Sequence, residues 1–160
     1  MHIVLVEPEI PGNTGNISRL CAATGITLHL VRPLGFSTDD KHLKRAGLDY
    51  WPLVTVKYHD NFQAVMEAYP KGTFYFCSTK APRPYTKITY HADDFLVFGR
   101  ESRGLPESLL QAHWEHCVRI PMISEARSLN LSSAVAIVAY EALRQQGFPS
   151  LQGAGHLTSI

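Results

Sequence analysis

Short apolar blocks alternate with turn formers along this chain. Residues 2–6 (HIVLV), 27–31 (TLHLV), 73–77 (TFYFC) and 95–98 (FLVF) each have a Gly, Pro or acidic residue within two positions of an end. Continuous apolar runs of that length read as strands buried on both faces. Residues 54–57 and 117–121 are predicted as two further, weaker strands. Helical stretches fall between them. Residues 17–24 are helical, with Gly25 as the stop. Asp39 or Asp40 caps a short basic helix over 41–46, closed by Gly47, and Asp60 caps another running to 68. Residues 106–113 and 130–146 complete the set, the last with almost no polar face. The cluster PGNTGN at 11–16 is predicted as a turn. Pro82 and Pro84 keep 78–94 irregular, with 85–90 extended, and 147–160 reads as a surface tail. Strand, loop, helix, strand at the start is a βαβ unit, so the expectation is one α/β domain over 1–160 with a parallel sheet flanked by helices.

Composition narrows this only a little. With 160 residues, 45% hydrophobic and 18% charged, the chain is long enough for a proper core and gives no reason to expect disorder. A net charge of +1 excludes a strongly basic tail but not a local basic face for nucleic acid. Cys21, Cys77 and Cys117 are odd in number and widely spaced, so neither a disulfide framework nor a zinc site is expected. His113 and His116, flanking Trp114 near Cys117, read as ordinary surface or loop residues, and no metal is expected. The first residues lack a basic signal-peptide start. No apolar run approaches the ~20 residues of a membrane span. The expectation is a soluble, cytoplasmic protein.

Candidate chemistry concentrates in residues 98–138. Here a buried strand opens into GRESRG, and a second strand opens into SLNLSS before the apolar helix. Gly99 and Gly104 bracket a charged run and allow sharp turns or close approach of backbone to a ligand. The two polar loops look like two lips of one site. Near the start, NTGNISR enters a helix and offers free N–H groups to an anion, but it is neither a Walker loop nor GxGxxG. Asn16 and Arg19 are three residues apart and share a helix face.

Together, NTGNISR, FGRESRGLP, and RIPM followed by SLNLSSAVAIVAYEALRQ resemble the three ordered motifs of the SPOUT superfamily of RNA methyltransferases. The likeness is closest to the TrmL (YibK) family of single-domain tRNA 2′-O-methyltransferases, which modify the wobble cytidine or uridine of the anticodon loop. It runs almost end to end, through EPEIPGNTGNISRLCAATG, the PLGF turn and DDKHLKRAGLDY. The resemblance implies an α/β knot, with a C-terminal trefoil threaded through a loop, and a homodimer. The implied cofactor is S-adenosyl-L-methionine, with contacts falling on Cys77, Gly99, Ile120 and Ser128. Cys77 stands where relatives often carry leucine, and Arg100 where they often carry proline.

The resemblance also implies a catalytic set. Arg19 is its candidate for the chemical step. A guanidinium is a poor base, so the expected role is to stabilise the developing alkoxide or to act with a phosphate. Asn13, Ser128 and Asn130 match positions that orient ribose, cofactor or the arginine. Glu101 matches a carboxylate with two open readings, catalytic or loop-organising; Gly104 is assigned to the loop. RNA contact is expected from Lys41, Lys44 and Arg45, with Lys80, Arg83 and Lys87 as a second cluster. Tyr50, Trp51 and Tyr85 are candidates to stack on unpaired bases. The alternatives are a 2′-O-methyltransferase acting on ribosomal RNA and a non-catalytic RNA-binding module on the same fold. A dinucleotide-dependent oxidoreductase is disfavoured by the missing GxGxxG and by the lack of a ribose-binding acid.

Overall fold

The structure, a computed structural model, describes residues 1–39, 41, 45 and 50–158. In chain order its elements are β1 (His2–Val6), α1 (Pro11–Thr24), β2 (Thr27–Val31), a 3-10 turn (Trp51–Leu53), β3 (Val56–His59), α2 (Phe62–Ala68) and β4 (Phe74–Cys77). A 3-10 turn (Tyr85–Lys87), β5 (Phe95–Phe98), α3 (Glu107–Ala112), a 3-10 turn (Trp114–His116), β6 (Cys117–Val118) and α4 (Leu131–Gln145) follow. The six strands form one parallel sheet in the order β3-β2-β1-β5-β4-β6.

Side chains alternate between the faces of each strand, and each face has its own core. Ile3, Leu5, Leu28, Leu30, Leu96 and Phe98 pack with Ile17 and Cys21 of α1 and with Val135, Val138, Ala139 and Ala142 of α4. Val4, Val6, Val31, Phe74, Phe76 and Val97 pack with Val65 of α2 and Leu110 of α3 on the other side. On this second face His2, His29 and His59 form a chain across β1, β2 and β3. His2 Nδ1 lies 3.0 Å from His29 Nε2, and His29 Nδ1 lies 2.9 Å from His59 Nε2. His29 is fully buried.

The strands at 2–6, 27–31 and 95–98 match their apolar runs. Several element ends differ, each for a physical reason. α1 begins at Pro11, so the predicted turn cluster is the first turn and a half of the helix. Proline suits the first helical position, and tertiary contacts described below hold the poor helix formers that follow. Gly25 ends α1 at φ 72° and returns its N–H to Cys21 O at 2.9 Å, the left-handed stop expected there. Asn61, not Asp60, caps α2 through a 2.8 Å bond from Ala64 N. β3 starts two residues later than expected because 51–53 coil into a 3-10 turn. Residues 85–87 coil as well: Tyr90 Oη donates to Tyr85 O at 2.7 Å, and Gln145 of α4 ties down Tyr90 N and Ile88 O. β6 is only two residues long, extended by a bridge between Pro84 and Arg119. The predicted basic helix over 41–46 falls largely outside the described residues, as do Lys44 and Gly47.

Strand order reverses between β1 and β5, which run side by side with Leu5 opposite Phe98. The loops leaving the carboxyl ends of these two strands are bound to each other, at the end of the sheet where open parallel sheets hold their ligands.

Candidate functional site

The loop after β5 closes on itself. Arg100 and Gly104 form an antiparallel bridge, and Gly104 sits at φ 68°. Gly99 lies so close to the returning chain that a Cβ would stand 2.1 Å from Gly104 C and 2.2 Å from Leu105 N. Only glycine fits there without moving the loop.

Carboxylates lace this loop to the entrance of α1. Glu101 Oε2 accepts from Glu9 N at 2.7 Å, while Oε1 accepts from Ile10 N at 3.1 Å and from Asn13 Nδ2 at 3.2 Å. In return, Glu9 accepts from Ser102 N and Ser102 Oγ, both at 2.9 Å. Those bonds hold the Glu9 carboxyl below its usual range. Arg100 forms an ion pair with Glu7 at the end of β1. Glu101 satisfies N–H groups at the start of α1 that no helical carbonyl can reach. This explains why a helix begins on such an unpromising sequence.

The network continues to α4. Asn130 Nδ2 donates to Asn13 Oδ1 at 3.0 Å, while Asn130 Oδ1 caps α4 by accepting from Ser132 N at 2.9 Å and Ser132 Oγ at 2.6 Å. Asn13 is therefore held at both ends of its amide, by Glu101 on one side and Asn130 on the other, and is 6% exposed. Residues 88 and 117 positions further along the chain thus meet at this one side chain.

Beneath them lies a cavity of about 560 Å³, within the ordinary range for a small-molecule site. Its walls are the loops after β4, β5 and β6 and the start of α4. Cys77, Gly99, Ile120 and Ser128 all line it, as do Asn13, Glu101, Gly104 and Asn130. Phe98, Leu131, Ala134 and Val138 supply apolar surface, and Ser78, Thr79 and Ser128 supply polar groups. Burial, with Cys117 as a smaller contributor, pushes the Cys77 thiol well above its usual range, so Cys77 serves as a small neutral wall residue. An apolar slot rimmed by polar loops suits an adenosyl group.

Arg19 is placed differently. It is six residues beyond Asn13, about 600° around a helix of 3.6 residues per turn, so it leaves the cavity side and is exposed beside Asn16. Its Cζ lies 4.9 Å from the centre of the Tyr50 ring. Lys41 and Arg45 are exposed; Lys44 lies outside the described residues. In the second cluster, Lys80 pairs with Glu107 and Arg83 with Glu115 at 2.7 Å, while Lys87 is exposed. Trp51 and Tyr85 pack partly against the core. Glu7, Glu9 and Ser102 were missed by sequence reasoning because their partners are distant in the chain. Arg103, Arg119 and Arg127 also line the cavity. Arg127 adjoins the SLNLSS run, the one local signal that pointed to it. Among the described residues no group of three or more His, Cys, Asp or Glu is arranged to hold a metal, and no helix is long and apolar enough to cross a membrane.

Known proteins resemble this chain over most of its length. The chain is 56% identical over 155 residues to a protein of Bacillus subtilis (strain 168), covering 95% of this chain and 97% of that one. It is 49% identical over 150 residues to the tRNA (cytidine(34)-2′-O)-methyltransferase of Escherichia coli (strain K12), covering 93% and 96%. A solved structure described as giving insight into the 2-OH methylation of C/U34 on tRNA superposes with a TM-score of 0.87 at 47% identity, covering 91% of this chain and 95% of the other. An AdoMet-bound rRNA methyltransferase from Sinorhizobium meliloti superposes at 0.80 with 25% identity, covering 89% of this chain and 55% of its own. The model of the SpoU rRNA Methylase family matches residues 1–140, and the chain belongs to that family.

Proposed function

We propose that this protein is an S-adenosyl-L-methionine-dependent tRNA 2′-O-methyltransferase that acts on the ribose of nucleotide 34, a cytidine or uridine, in the anticodon loop. The observation that carries the reading is likeness over 93% of the chain to an enzyme of that name, together with a cavity lined by residues of all three motifs. Cys77, Gly99, Ile120 and Ser128 would hold the cofactor, which supplies an electrophilic methyl group on a sulfonium. Methyl transfer forms a carbon–oxygen bond as the carbon–sulfur bond breaks, and the hydroxyl proton must leave.

The chain's own residues align the acceptor and manage that proton. Asn13 and Asn130 fix the relation between α1 and the cavity. Ser128, exposed on the cavity wall, orients cofactor or ribose. Arg19 stabilises the developing alkoxide or acts with a substrate phosphate. Glu101 is assigned to loop organisation, because its two oxygens accept three N–H groups of the α1 entrance. Lys41, Lys44 and Arg45 provide phosphate contacts. Arg103, Arg119 and Arg127 add positive charge around the cavity, which suits a polyanion.

The same reading includes a cytoplasmic homodimer and a C-terminal trefoil knot. Support for the knot is that the 99–104 and 119–130 loops line one cavity. Support for the dimer is the outer stripe of α4, where Ile137 and Tyr140 are 36% and 44% exposed and Phe148 beside them is 40% exposed. A second copy of the same apolar stripe is its natural cover. Because Arg19 lies outside the wall of its own cavity, a partner subunit would also serve to bring an arginine to it. Ribosomal RNA is the second substrate to test, since the family bears that name. Labelled cofactor should transfer its methyl group to bulk tRNA and not to ribosomal RNA, with the product mapping to a 2′-O-methylated nucleotide 34. Transfer to ribosomal RNA alone would overturn the assignment.

A further inference from the structure

Arg19 presents a geometric problem: a long, exposed side chain proposed to act on one oxygen has to be held still without using up its donors. Tyr50 is the group that touches it. The guanidinium carbon lies 4.9 Å from the centre of the Tyr50 ring. Tyr50 is itself anchored: its carbonyl accepts from Leu53 N at 2.8 Å, closing the 3-10 turn, and the adjacent Trp51 packs against the core beside α1. Among the described residues, no acceptor or carboxylate takes a bond from the Arg19 guanidinium.

A cation resting on an aromatic face is attracted to the ring without giving up its N–H groups, which lie in the guanidinium plane. An ion pair would hold the arginine equally well but would engage those donors and offset its charge. We propose that Tyr50 is the positioning residue for Arg19, a fixed aromatic shelf that restricts the guanidinium while leaving its donors free for the ribose oxygen or a flanking phosphate. This differs from the expectation that Tyr50 stacks on a base: one face of its ring is already in use. The inference rests on the catalytic reading of Arg19 given above.

The test is single-turnover methylation at saturating tRNA and cofactor, with cofactor affinity and thermal melting measured alongside. Losing an exposed cation–π contact and freeing a rotamer-rich side chain should slow the step roughly 5- to 30-fold. Tyr50→Ala and Tyr50→Leu should both show this loss. Tyr50→Leu keeps apolar bulk for the turn and guards against misfolding of the smaller variant. Tyr50→Phe, which keeps the ring, should stay within about twofold of wild type. In an Arg19→Ala background Tyr50→Leu should cost nothing more, and cofactor affinity should be unchanged throughout.

A normal single-turnover rate for Tyr50→Leu overturns the proposal. So does an effect of equal size with and without Arg19, or one confined to the KM for tRNA, which would mark a base-stacking role. If Arg19→Ala itself methylates normally, the catalytic reading of Arg19 has failed and this inference falls with it. Loss in Arg19→Ala with a normal Tyr50→Leu rejects the shelf alone.

Discussion

Replacing Glu101 with glutamine separates its two possible roles. The carboxylate accepts three bonds, from Glu9 N, Ile10 N and Asn13 Nδ2. Glutamine keeps the shape but has only one acceptor oxygen. If that oxygen replaces Oε1, the new NH₂ faces Glu9 N–H at what was a 2.7 Å contact. In the other orientation it faces both Ile10 N–H and the Asn13 amide. One or two bonds become donor-to-donor clashes either way, and the survivors lose their charge. Bonds to a charged group contribute roughly 1.5–3 kcal/mol each. Solvent beside this partly exposed residue weakens them, so a net loss of about 2–3 kcal/mol is expected. In a protein of this size that corresponds to a fall in Tm of roughly 4–12 °C. The loop carrying Gly99 should loosen together with the start of α1, so cofactor affinity should fall by about tenfold or more. Thermal melting, calorimetric titration of S-adenosyl-L-methionine and single-turnover methylation measure the three effects. Loss of methylation with unchanged Tm and unchanged affinity would instead make Glu101 a group that acts on the reaction itself.

Gly99→Ala places a methyl group 2.1 Å from Gly104 C, so the loop must open by roughly 1.5–2 Å to reach ordinary contact distance; cofactor binding should be lost while far-UV circular dichroism stays native, and normal calorimetric affinity would contradict this. The histidine chain predicts acid sensitivity. Burial, with the N-terminal amine, Lys57 and neighbouring histidines adding to it and Asp93 opposing at His2, lowers His2 to about 4 and His29 to about 3. His59 is lowered too, by burial and Lys57 against Asp60. The unfolded chain takes up these protons near pH 6.5 and the folded chain does not, so this stability is complete above pH 6.5 and falls as pH drops toward 4. The slope should reach about 1.4 kcal/mol per pH unit from buried His29 alone; denaturant midpoints unchanged between pH 7 and pH 5 would reject it. Tyr140→Glu puts a charge in the apolar stripe of α4 and should yield monomers by light scattering, with methylation reduced; a stable dimer would move the interface elsewhere.

Much of the frame was legible because a parallel sheet buried on both faces leaves continuous apolar runs, as at 2–6, 27–31 and 95–98. Edge strand β3 was misplaced by two residues because VTVKYH is half exposed and carries a weaker pattern. The start of α1 could not be read locally. Gly12, Asn13 and Gly15 favour a turn, and the acceptor that fixes the chain entering the helix, at Glu9, Ile10 and the Asn13 side chain, is Glu101, about 90 residues away. The cavity wall was legible through the motifs, since Cys77, Gly99, Ile120 and Ser128 lie at strand exits or in the loops that follow them. What the motifs did not reveal was how they are joined: Asn13 held between Glu101 and Asn130, Glu9 answering Ser102, and Arg19 turned away from the cavity onto Tyr50. Those contacts depend on the sheet order, which sets β1 beside β5 and so brings distant loops together.

In the proposed reaction one oxygen, the 2′-hydroxyl of nucleotide 34, accepts the methyl group. A tRNA with 2′-deoxyribose at position 34 alone keeps every phosphate and base that the protein would touch and removes only that oxygen. With labelled S-adenosyl-L-methionine in a single-turnover experiment, it should bind with nearly normal affinity and take up no label, while the all-ribose control is methylated to completion. Label transferred to the deoxy-substituted tRNA at the control rate would place the methyl group on another atom.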